Sequence, residues 1–285
     1  MKNPKRYFSL VKFSHTLFAM PFALIGFFMA VTLTPHPFRW SLLGLVVLSM
    51  VFARNSAMAF NRFLDRDIDA QNPRTSGREI PAGAISPRKA LLFVLLNSAA
   101  FVATTSLINP LVLALSPVAL LVILGYSYTK RFTPLCHFVL GAGLALAPLG
   151  AYLAVTSQFD WLPALLAASV FFWVSGFDII YALQDEEFDK QKHLHSIPVL
   201  LGKAGALRLS RGLHLLSASL LALSATLGGL GWAYWVGVSL FALLLVYQQS
   251  LVRPDDLSRV DLAFFTTNGV ASVLFAVMAI SDLYL

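Results

Sequence analysis

Nine apolar segments punctuate this chain, at roughly 14–34, 41–62, 89–107, 110–128, 134–155, 161–184, 209–229, 231–249 and 262–283. Most of them approach the roughly 20 residues that a helix needs to cross hydrocarbon. A backbone in that medium must satisfy its own hydrogen bonds, so such segments fold as helices. They predict an all-α, polytopic membrane protein with nine transmembrane helices in one bundle, a single domain over residues 1–285. Composition agrees: only 12% of the 285 residues are charged, against about a quarter in a soluble domain. Lys2, Lys5, Arg6 and Lys12 precede the first segment as they would in a signal peptide. That segment is long enough to span and has no small-residue cleavage site after it, so it is read as the first membrane helix. The lone Cys136 excludes an internal disulfide.

Nineteen of the 21 Lys and Arg residues fall on one side if nine helices alternate: at the amino terminus and in the loops after helices two, four, six and eight. Arg39 lies on the other side and Arg54 within a helix. The positive-inside rule makes the crowded side cytoplasmic, which places the amino terminus and the acidic motifs described next at the inner face of a bacterial-type plasma membrane. The net charge of +7 is spread over short loops rather than gathered on one face, so no nucleic-acid partner is expected. The two longest loops, 63–88 and 185–208, mix Pro, Gly and charge. They suit a cytoplasmic cap over a central polar cavity.

Nine of the fourteen acidic residues gather at the ends of the second and sixth segments or just after them. Ala57 to Asp69 holds no Gly or Pro, so the second helix is expected to continue to Pro73. Asn61, Asp65 and Asp69 then recur every four residues on one face, about 6 Å apart. Asp178, Tyr181, Asp185 and Asp189 likewise share a face at i, i+3, i+7 and i+11. Carboxylates beside hydrocarbon are costly without partners. Two ladders of oxygen donors opening on one side suit hard divalent cations such as Mg²⁺, which leave positions open for phosphates. Asp67, Glu79, Glu186 and Glu187 leave the shared faces and are assigned to the headgroup region. Arg54 lies two turns deeper than Asn61 on the same face, and a guanidinium at that depth needs an anionic partner. A diphosphate at one end and a carboxylate at the other would satisfy such a cavity. Tyr126, Tyr128, Lys130 and Arg131 end the fourth segment at the same surface, where headgroup anchoring and phosphate contact both remain open.

At these residues the chain resembles the UbiA superfamily of intramembrane prenyltransferases. The resemblance rests on Asn61-x3-Asp65-x3-Asp69, Arg74-Thr75-x2-Arg78, Tyr126-x3-Lys130-Arg131, the deep Arg54, and Asp178-x2-Tyr181-Ala182-x2-Asp185-x3-Asp189 with Lys192 and Ser196 after it. The family's nine-helix plan spans the whole chain. The resemblance implies Mg²⁺-dependent transfer of a polyprenyl group from polyprenyl diphosphate to an aromatic acid. Two Mg²⁺ ions would be held by Asn61, Asp65, Asp69, Asp185 and Asp189, with Asp178 in support. Arg74, Arg78, Lys130 and Lys192 would bind the diphosphate, and Arg54, Tyr126 and Tyr181 the acceptor.

Within the superfamily the segments Lys12-Phe13-Ser14-His15-Thr16 and Phe18-Ala19-Met20-Pro21-Phe22 resemble bacterial 4-hydroxybenzoate polyprenyltransferase-like proteins of ubiquinone and menaquinone synthesis. The acceptor, benzoate or naphthoate, stays open. A haem O synthase relative would lack the dense second motif. A divalent-cation transporter would place its acids near the bilayer midplane, whereas here they cluster at one surface.

Overall fold

The structure is a computed structural model that describes Tyr7, Leu10 and residues 16–285. The amino-terminal Lys2, Lys5, Arg6 and Lys12, with the Lys12–His15 part of the motif above, lie outside the described residues. In chain order the helices are α1 (Thr16–Leu33), α2 (Trp40–Leu64), α3 (Arg66–Asp69), α4 (Pro87–Ser106), α5 (Pro110–Thr129), α6 (Cys136–Thr156), α7 (Trp161–Ala182), α8 (Glu186–Gln191), α9 (Ile197–Gly228), α10 (Trp232–Ser250) and α11 (Asn268–Asp282). Among the described residues there is no strand, only an isolated bridge between Arg253 and Asp256.

Among the described residues seven helices are long and apolar enough to cross a membrane: α2, α4, α5, α6, α7 with its extension to Gln191, α10, and α11 with the turn before it. The other two segments expected to span differ from these. α1 is apolar but shorter. α9 has 32 residues but carries Lys203, Arg208, Arg211 and His214 along its length. The outward-facing side chains are those of a lipid-facing surface: Leu92, Leu95 and Leu96 of α4, and Leu243 and Val246 of α10, are exposed.

The ends of these helices follow from local chemistry. Pro87, with its missing N–H, opens α4 behind an extended Ser86. Asp160 caps α7 by accepting from the Leu162 amide, and Ser196 caps α9 by accepting from the Val199 amide. The Ser196 cap, with Pro198 just inside, starts α9 twelve residues earlier than the apolar pattern predicts. Much of the expected 185–208 loop is therefore helix, in α8 and the first turns of α9. Gly202 interrupts α9 at φ 68°, ψ 169°, and Gly229 ends it at φ 62° in the left-handed region.

The chain forms two compact units. The first contains Ser41–Tyr128, and Leu10 joins its core of Ala59, Ile80, Ile85, Ala90 and Val94. Polar ties between α2 and α4 join Asn55 to Asn97 at 3.1 Å and Ser56 to Ser98 at 3.2 Å. Such bonds suit a helix pair in lipid, where association has no hydrophobic drive of its own.

The second unit contains Leu17–Trp40 and Thr129–Leu285. Its centre is aromatic: Phe22, Trp173, Phe241 and Phe275 stack with centroids 5.2–6.3 Å apart. α1 crosses α6 where Gly26 meets the backbone of Pro148, so closely that a Cβ would strike the Pro148 carbonyl. Before α11 the chain makes a π turn over Leu262–Thr267. Buried Gln248 donates to the Ala263 carbonyl (2.7 Å) and to Asn268 Oδ1 (3.0 Å), and Trp173 Nε1 donates to the same oxygen (3.1 Å). These bonds hold the wide turn in place.

Candidate active site

The first acidic motif lies where α2 ends. The expected continuous helix to Pro73 is interrupted: α2 stops at Leu64, Asp65 sits at φ −88°, ψ 3°, and α3 resumes for one turn to Asp69. The Asp65 amide still donates to the Asn61 carbonyl (2.9 Å) and the Asp69 amide to the Asp65 carbonyl (2.7 Å), so the four-residue spacing survives the break. Asn61 Nδ2 donates to Asp65 Oδ2 at 3.2 Å. Asp65 and Asp69 are 2% and 4% exposed. Such burial of two carboxylates requires compensation. For Asp69 it comes from Arg78, whose Nη1 donates to both carboxylate oxygens at 2.8 and 2.9 Å.

The chain between α3 and α4 folds back by hydrogen bonds. Thr75 Oγ1 donates to the Asp69 carbonyl (3.2 Å), and Asn72 Oδ1 accepts from the Arg74 amide (2.9 Å). Arg74 itself is exposed. Glu79, assigned from sequence to the headgroup region, instead pairs with Arg62 at 3.7 Å, and both side chains are largely buried. Its neighbour Arg78 is thereby held beside Asp69. Asp67 does point outward, paired at 3.4 Å with Arg66, which also lies over the Phe63 ring. Arg54 of α2 and Tyr126 of α5 interact electrostatically within this unit. An apolar groove of about 420 Å³ runs along α5, lined in part by Leu120, Leu124 and Tyr128, and Phe60, the residue before Asn61, contributes to its wall.

The second motif is also bent. α7 ends at Ala182, a 3₁₀ turn covers Leu183–Asp185, and α8 begins at Glu186. The predicted single face is therefore split, with Asp178 and Tyr181 on α7, Asp185 in the turn and Asp189 on α8. Asp189 accepts a hydrogen bond from the Ser196 hydroxyl and lies within electrostatic reach of Asp185, Lys130 and His137. The His195 amide donates to the Lys130 carbonyl at 2.7 Å, which ties the segment after α5 to the start of α9. Lys192 ends α8 as an exposed residue. Glu186 is a second correction to the headgroup assignment: it is buried and bonds Lys190 at 2.5 Å. Glu187 is exposed as expected. Tyr181 stacks on Phe264 of the π turn at 4.1 Å and meets Phe265 edge-on at 5.8 Å.

His137 carries no signal in the sequence. It lies 41 residues before Asp178, yet its Nδ1 is 2.7 Å from Asp178 Oδ2. Arg62, counted from sequence as one more positive loop charge, is likewise recognisable only from its partner Glu79 in the fold.

Among the described residues no three His, Cys, Asp or Glu side chains converge to hold a metal ion by themselves. That is compatible with Mg²⁺, which takes one or two carboxylates and completes its shell with water and substrate phosphate. The donors present fit that ion: Asn61, Asp65 and Asp69 offer oxygen, and the two acids are buried.

The UbiA prenyltransferase family model matches residues 19–270. A 4-hydroxybenzoate octaprenyltransferase from Aeromonas hydrophila is 32% identical over 248 residues, covering 87% of this chain and 85% of that protein. The protein of the same name from Saccharophagus degradans is 32% identical over 237 residues, covering 83% and 79%. Among solved structures, the apo form of a UbiA homologue from Aeropyrum pernix K1 matches with TM-score 0.85 and 34% identity, over 94% of this chain and 98% of that one. A UbiA homologue from Archaeoglobus fulgidus bound to GPP and Mg²⁺ shares the fold, with TM-score 0.74 at 22% identity over 98% and 100%.

Proposed function

Because this chain belongs to the UbiA prenyltransferase family, we propose that it is an integral membrane aromatic prenyltransferase. It moves a polyprenyl group from polyprenyl diphosphate onto 4-hydroxybenzoate or a related hydroxynaphthoate, with release of diphosphate, in quinone biosynthesis. The observation that carries this reading is the first acidic motif: two deeply buried carboxylates, one bonded to Asn61 and the other held by Arg78. The names of the curated relatives support the aromatic acceptor.

Asp65, Asp69, Asp185 and Asp189, with Asn61 and Asp178 in support, would hold two Mg²⁺ ions. Bound there, the ions supply charge neutralisation for the diphosphate. Arg74, Arg78, Lys130 and Lys192 bind the diphosphate oxygens and stabilise the negative charge that grows as the allylic C–O bond breaks. The electron pair of that bond leaves with diphosphate, a ring carbon of the acceptor bonds to the freed prenyl carbon, and the proton on that ring carbon is lost to water. Arg54 binds the acceptor's carboxylate and Tyr126 and Tyr181 its ring. Apolar walls keep water from the allylic cation until the ring attacks. The proposal includes nine membrane crossings, an amino terminus and active site on the cytoplasmic side of a bacterial plasma membrane, and a cap formed by the segments after α3 and α7.

The test is incubation of the purified protein with Mg²⁺, polyprenyl diphosphates of several lengths and candidate aromatic acids, with products read by mass. The expected product is the acid plus one prenyl group less one hydrogen, formed with one diphosphate and suppressed by EDTA. Diphosphate release with no alkylated acid from any acceptor would reject the reading.

A further inference from the structure

One buried imidazole has no part in the reaction just outlined, although it touches one of its carboxylates. His137, 3% exposed, is fixed at both ring nitrogens. Its Nδ1 lies 2.7 Å from Asp178 Oδ2, and its Nε2 lies 3.3 Å from the Ile197 amide nitrogen. A backbone amide can only donate, so Nε2 accepts and the ring proton on Nδ1 points at Asp178. Ile197 directly follows Ser196, whose hydroxyl bonds Asp189. In the same turn the Leu194 amide donates to the Asp189 carbonyl (2.9 Å) and the His195 amide to the Lys130 carbonyl (2.7 Å). One side chain of α6 thus joins the carboxylate that opens the second acidic motif, on α7, to the turn that holds the carboxylate closing it.

We propose that His137 is the positioning residue of the second acidic motif. It aims the Asp178 carboxylate and sets its place relative to Asp189, so that the motif receives Mg²⁺ and diphosphate without reordering. The motif needs such a brace because its helix is broken at Leu183–Asp185, and a carboxylate on the last turn before a break keeps its rotamer freedom unless a partner removes it. Partners that orient metal-binding side chains set affinity as strongly as many ligands do. The inference rests on the function proposed above, and the experiment separates the two.

Wild type, His137→Ala and His137→Asn are purified in detergent and read in two ways. The first is the Mg²⁺ concentration giving half-maximal prenyl transfer. The second is the rise in Tm caused by Mg²⁺ with inorganic diphosphate and no acceptor. The alanine variant is expected to need about tenfold more Mg²⁺ or beyond and to lose most of the ligand-induced rise in Tm. Asparagine places an amide N–H where Nδ1 stood and is expected to recover most of both, so it carries the test if the alanine variant fails to fold. A lower ligand-free Tm with wild-type Mg²⁺ dependence and ligand shift would overturn the proposal, leaving His137 a packing residue. So would an asparagine variant that is as stable as wild type yet recovers neither readout. If wild type shows the Mg²⁺–diphosphate shift but alkylates no aromatic acid, the acceptor chemistry falls and the binding readout alone decides for or against His137. If wild type shows neither, both proposals fall.

Discussion

At the scale of single residues, the buried carboxylates have different neighbours and so predict different phenotypes. Asp65 is bonded to Asn61, and its replacement by Ala removes a proposed metal ligand together with a buried charge. Loss of transition-state charge stabilisation of this kind costs at least about a hundredfold in kcat. The expected outcome is that loss in Asp65→Ala protein that still unfolds cooperatively; near wild-type turnover would remove Asp65 from the metal site. Arg78 differs, because it holds Asp69 before any substrate arrives. Arg78→Ala is expected to lower ligand-free stability by about 2 kcal/mol, the worth of hydrogen bonds to a charged group, and also to raise KM for the prenyl diphosphate. Thermal unfolding and initial rates measured on the same preparation check both effects. Glu79 and Glu186 show where charge pattern alone misleads. Each leaves the helix face that the spacing defines, and each is nonetheless buried in an ion pair. A one-dimensional pattern shows which residues share a face of one helix; it does not show which loop folds back against them.

Among the elements, close approach of helices decides what is tolerated. Gly26 of α1 abuts the Pro148 backbone of α6, and a Cβ there would collide with a carbonyl that cannot move aside like a flexible side chain. Gly26→Val is expected to cost about 1–3 kcal/mol, as overpacking of a tight contact does. Gly150→Ala on the same α6, where a Cβ meets nothing within 4 Å, is the neutral control, and the Tm difference between the two variants measures the crossing. Helix ends followed local rules closely wherever a cap was present: Ser196, Asp160 and Gly229 lie at boundaries that Ser, Asp and Gly favour. The breaks at Asp65, at Leu183–Asp185 and in the π turn at Leu262–Thr267 had no such signal. No Gly or Pro marks them. The π turn is kept by Gln248, Asn268 and Trp173, which come from three different parts of the chain.

For the molecule as a whole, the charge partition makes a topological prediction that is independent of catalysis. In a Cys136→Ser background, a membrane-impermeant maleimide is expected to label Arg39→Cys protein in intact cells. Arg253→Cys protein should react only after the membrane is opened. Labelling of both from the outside would refute the proposed crossings. The sequence by itself determined the helical class, the membrane habitat, the family and the residue types of both acidic motifs. Apolar segment length, the side on which Lys and Arg collect, and four-residue spacing are all properties of a chain read in one dimension. The tertiary structure alone decided that both acidic helices are broken, that Asp69 and Arg62 clasp the returning segment through Arg78 and Glu79, and that His137 meets Asp178. Those contacts join residues up to 41 positions apart, and burial, which forces every charge to find a partner, acts only once the chain has folded.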